Sequence, residues 1–142
     1  MKITKREPWL FGALAVAVIA AGVLYRNLPS LQRSKLPDSA TDIHEYDFGI
    51  GGCGDTAAIL KARLPAKDFP IYAKRLGLTE RYDPSVPRAA HDPLKNSLGG
   101  APNWWNEPES LTNCYFRFTP GTDHVERVKW SDGWVYYLSI YW

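Results

Sequence analysis

Apolar positions are spread unevenly along the chain, and each change in their spacing marks a change of element. Pro8–Tyr25, PWLFGALAVAVIAAGVLY, is apolar almost throughout, with no charge between Glu7 and Arg26. As a helix it would cover roughly 27 Å at 1.5 Å per residue, close to a hydrocarbon core of about 30 Å. Trp9 and Tyr25 stand at its two ends, where amphipathic rings meet headgroups. The pattern predicts a transmembrane helix or signal anchor over residues 9–25, behind a basic leader at 1–8. Lys2, Lys5 and Arg6 are matched by Arg26, Arg33 and Lys35 beyond the run, and the dominance of an N-terminal signal decides for a cytoplasmic N-terminus.

Past the run, Asn27–Glu45 has two prolines, three serines, mixed charge and no apolar period, which predicts a flexible tether over 26–45. Within Asp55–Leu64, Lys61 and Arg63 alternate with apolar residues and Pro65 follows, so a strand is expected. Phe69, Tyr72, Ala73 and Leu76 then recur at helical spacing, with Asp68 as the expected cap, Pro70 in the first turn and Gly77 as the stop. Arg81–Ser110 carries five prolines and Gly99-Gly100 without a period, and reads as a long loop around Trp104-Trp105. The clearest alternation comes last. Asn113–Thr119, His124–Trp130 and Trp134–Trp142 predict an antiparallel meander, the second turn built on Ser131-Asp132-Gly133. The fold class expected is α+β: a single N-terminal transmembrane helix, then a small domain at 46–142 with an antiparallel sheet, a C-terminal three-stranded meander and one short helix.

Charge narrows the partners. Residues 1–26 hold four basic residues against one acid, while residues 27–142 hold 13 basic and 14 acidic residues. The basic excess belongs to the N-terminal flanks, so the domain lacks the electrostatic footprint of a nucleic-acid binder. Cys53 and Cys114 are the two cysteines. In an oxidising compartment they would pair, closing a loop of about 60 residues and stabilising the fold by roughly 4 kcal/mol; two buried thiols or a metal pair are the alternatives.

Gly49–Gly54 matches G-x-G-x-x-G by letter, with Asp68 where a ribose-binding acid would be sought. A dinucleotide site needs a strand before the glycines and a helix after, and neither is expected, so no cofactor is assigned. His44, His91 and His124 each adjoin a carboxylate, but the chain has no H-x-H, H-x3-H or H-E-x-x-H and no G-x-S-x-G or Walker A loop. No catalytic residue or metal ligand is nominated, and an enzyme is not expected.

The surplus of aromatic residues remains. Rings occur on both faces of the last strand; one face belongs to the core, and the other is either covered by Trp104-Trp105 or left as a platform. The layout of anchor, tether and aromatic domain resembles small bacterial envelope proteins, in architecture only. The function expected is a non-catalytic interaction module, held at the inner membrane with its domain in the periplasm or outside the cell. It would contact lipid through the helix and a protein partner through Trp104, Trp105, Trp130, Trp134 and Tyr136, an immunity-type inhibitor being one form. Two alternatives stand beside it: an envelope glycan or small-ligand binder using ring stacking, and a hydrolase or metal enzyme built on His91 and His124.

Overall fold

The computed structural model describes residues 7–26, 28–49, 56–83, 85, 100–119 and 124–141, with the backbone alone at 7–10, 24–26, 118 and 119. Two compact units are present, Met1–Ser30 and Leu31–Trp142.

The first unit holds helix α1, Glu7–Arg26. The apolar run thus folds as a helix of 20 residues. Among the described residues no helix is long and apolar enough to cross a membrane. The transmembrane assignment at 9–25 is corrected on this ground, and with it the single-pass placement in the inner membrane and the periplasmic or extracellular address of the domain. The side chains of Trp9 and Tyr25 lie outside the described residues.

The second unit opens with the one-turn helix α2, Leu31–Ser34. Its sheet has strands β1 (Thr41–Gly49), β2 (Thr56–Arg63), β3 (Glu80–Arg81), β4 (Cys114–Thr119), β5 (His124–Ser131) and β6 (Trp134–Tyr141). They form one six-stranded sheet in the order β1-β2-β6-β5-β4-β3, and every neighbouring pair is antiparallel. The expected meander is therefore the β4-β5-β6 part of a wider sheet. It turns between β5 and β6 at Asp132 and Gly133, both at positive φ (50° and 83°), the hairpin geometry that glycine accommodates.

The only further helix among the described residues, α3 (Phe69–Leu76), follows a 3-10 turn at Ala66–Asp68. It buries Phe69, Tyr72, Ala73 and Leu76, as its spacing predicts, and ends at Gly77 in the left-handed region. Asp68 precedes it without capping it; the carboxylate instead accepts a 2.6 Å hydrogen bond from Ser39 Oγ, fastening the segment before β1. Together with Leu36 and Leu78, α3 covers one face of the sheet at Leu60, Ala62, Val128, Val135 and Tyr137.

β1 is the element that departs most from expectation. Residues 41–45, read as the end of a tether, are its first half. Asp42, His44, Glu45 and Asp47 dilute the apolar signal, and the first residues carry a bulge between Thr41 and His44. Asp42 sits at φ 52° there, and its Oδ1 lies 3.0 Å from His44 Nε2.

Candidate functional site

The sheet face opposite α3 is covered by the segment around Trp104-Trp105. Both rings are half-buried and pack with Phe48 against Ala57, Ile59, Leu138 and Ile140. Trp105 meets Tyr136 edge-on at 5.6 Å, and Trp104 stacks on His44 at 5.4 Å. Lys61 fastens the loop from beneath: its Nζ donates to Asn106 Oδ1 at 2.7 Å and to the Trp104 carbonyl at 3.2 Å. The same ammonium lies 4.2 Å from the Trp134 ring centroid, and Arg63 lies 4.6 Å from it.

Further along this face Glu107 drops between two cations from β5. Arg127 Nη2 donates to Glu107 Oε2 at 2.6 Å, and Lys129 Nζ lies 3.1 Å from Oε1. The side chains of Arg127, Lys129 and Glu107 are only 4%, 1% and 10% exposed. Lys129 also donates to the Pro108 carbonyl. Burial pulls the Lys129 pKa below its ordinary value, and the Glu107 charge acts the other way. Arg127 and Lys129 alternate with apolar residues in the sequence as a solvated face would; the loop carboxylate turns them into a buried triad.

Four of the five expected partner-binding residues, Trp104, Trp105, Trp134 and Tyr136, are thus gathered on one face. Trp130 is on the other, packed with the α3 core and donating from Nε1 to the Leu64 carbonyl at 2.8 Å.

Cys114 is a free, fully buried thiol in the cluster of Leu111, Phe116 and Val125. The disulfide is corrected accordingly: Sγ lies within that cluster and donates to the Tyr115 carbonyl at 3.7 Å. Burial pushes the thiol pKa up to about 11, Arg127 and Lys129 opposing and Glu107 assisting. Cys53 and His91 lie outside the described residues, as do residues 50–54 of the glycine cluster.

His124 opens β5 and pairs with Tyr141 at the end of β6. Its ring stacks on Tyr141 at 3.8 Å, and Nε2 is 3.0 Å from Ser139 Oγ. Nearby, Tyr137 donates to Glu126 Oε1 at 2.8 Å and Arg117 pairs with the same carboxylate. Desolvation lowers the His124 pKa; the Glu126 charge works against that and Arg117 works with it. A neutral imidazole beside a hydroxyl has the form of a base and a nucleophile, but Ser139 is only 6% exposed within the sheet face. Among the described residues no group of three or more His, Cys, Asp or Glu side chains is placed to hold a metal ion.

The open feature is the edge. Among the described residues no strand lies on the outer side of β1, which is nine residues long. The opposite edge ends in the two-residue β3, too short to template another strand. Along β1 the side chains sort by face. His44, Tyr46 and Phe48 pair with Lys61, Ile59 and Ala57 and share the tryptophan face. Tyr46 and Phe48 stack at 5.6 Å, and Tyr46 is 47% exposed. Glu45 and Asp47 point to the α3 side, opposite Leu60 and Ala58. This alternation was legible in the sequence as a period of two over residues 44–48, obscured by the surrounding polar residues.

Comparison with family models, curated proteins and solved structures finds no match to the chain.

Proposed function

We propose that this protein is a non-catalytic protein-binding module that takes its partner along the outer edge of β1. One observation carries the reading: a nine-residue edge strand whose aromatic row His44, Tyr46, Phe48 continues into Trp104. Unpaired N–H and C=O groups on such an edge supply affinity by main-chain pairing, and exposed alternate side chains supply selectivity. The tryptophans enter this reading as support. Trp104 backs the edge strand, while Trp105 and Tyr136 hold the loop on the sheet. Ring stacking with a glycan draws less support, because Trp104 already stacks on His44 and Trp105 abuts Tyr136.

The test is photocrosslinking in the full-length chain within its own cells. A benzoylphenylalanine replaces Tyr46 on the edge or, as control, Ile71 on α3, which is equally exposed at 47%. A discrete protein adduct from position 46 and none from position 71 is expected. Equal yields from both positions, or none from either, would remove the reading.

A further inference from the structure

The charge and face pattern of β1 specifies the chemistry of what binds it. On one face an incoming strand would meet His44, Tyr46 and Phe48; on the other it would meet Glu45 and Asp47. Glu45 is shared with Arg33, whose Nη1 is 3.5 Å away. Asp47 has no ion-pair partner among the described residues. Its carboxyl pKa is raised, first by partial burial and then by the Glu45 charge, so ionised Asp47 is a group that a nearby cation would relieve.

The same carboxylates argue against a second copy as the occupant. Antiparallel self-pairing centred on Tyr46 would set Glu45 against Asp47 twice, and pairing centred on Glu45 would set Glu45 against itself. Like charges directly opposite one another destabilise a strand pair. The bulge at Thr41/His44 further confines regular pairing to the His44–Gly49 stretch of the strand.

Resting on the binding role proposed for β1, the geometry points to a partner segment that is extended and alternates basic with apolar residues. Its apolar side chains lie along Tyr46 and Phe48 on the tryptophan face, and a lysine or arginine stands opposite Asp47 on the α3 face. Main-chain hydrogen bonds supply sequence-independent affinity, and the alternation selects the face and the register.

The test uses the full-length chain and three capped, fluorescein-labelled ten-residue peptides alternating Lys/Val, Ser/Val and Glu/Val. Anisotropy reads binding, and backbone hydrogen exchange over residues 41–49 reads strand addition. The Lys/Val peptide is expected to bind about two- to fivefold more tightly than Ser/Val at low salt, with Glu/Val weakest, as one cross-strand charge pair allows. Both Lys/Val and Ser/Val should slow exchange in β1. Asp47→Asn should abolish the preference for Lys/Val, and Asp47→Lys should turn it toward Glu/Val. Equal binding of Lys/Val and Ser/Val, with β1 protected by both, would overturn the basic partner and leave edge pairing intact. No protection of β1 by any peptide would remove edge pairing itself.

Discussion

Trp104 stacks on His44 with ring centroids 5.4 Å apart and planes 28° from parallel, so the loop that roofs the sheet reaches its open edge strand. The contact makes the order of β1 depend on a residue 60 positions away. Its consequences extend to the groups that hold the loop down.

Lys61 is the first of these. Lys61→Met removes the donor to Trp104 O and Asn106 Oδ1 and the cation over Trp134. The methylene stem is largely preserved, so the expected cost is about 1–3 kcal/mol in urea unfolding. Tryptophan emission should shift to the red under native conditions as the loop loosens.

The buried triad is more sensitive. Glu107→Gln neutralises the carboxylate that Arg127 and Lys129 share in the interior, and removing one partner from such an arrangement costs about 3–5 kcal/mol. Replacing all three with apolar residues of similar volume should cost less than the single change. Urea midpoints of the two variants, compared with the parent chain, check that order.

Acid should weaken the fold through His124. Its folded pKa is depressed below the ordinary 6.5, chiefly by desolvation, so the unfolded chain binds the proton more readily. Stability from this group is complete above pH 6.5 and declines as pH falls from there toward the depressed value. Thermal melts at pH 7.5 and pH 5.5 should show the loss, and His124→Gln should flatten it.

Alkali acts with the opposite sign. The Cys114 thiol is raised from 9.0 to about 11, so the unfolded chain releases its proton first and stability falls as pH climbs through that window. The full loss is about 2–3 kcal/mol, from a window of about two pH units. Tyr72 and Tyr137, both raised by burial, add to the decline at higher pH. Cys114→Ala should lessen the fall between pH 9 and 11 in urea titrations.

Much of the local structure is legible in the chain. Phe69, Tyr72, Ala73 and Leu76 announce α3, Gly77 its end, and the alternation after Asn113 announces β4, β5 and β6, because buried faces impose their own periods. What could not be read is what those faces meet. Arg127 and Lys129 have the spacing of a solvated stripe until Glu107, 20 positions from Arg127, arrives above them. Trp130 and Trp134 look equivalent in sequence, yet the pleat sends one into the α3 core and the other to Lys61.

The sequence by itself determined that this is an α+β domain with an aromatic C-terminal sheet and a short amphipathic helix, since periodicity and turn chemistry are local properties of the chain. The tertiary structure alone decided that Trp104-Trp105 roofs a sheet face, that Cys114 is a sealed thiol, and that β1 joins the sheet as its open edge. Those outcomes depend on pairings between distant segments, such as His44 with Lys61 and Trp104 with His44, which no local pattern encodes.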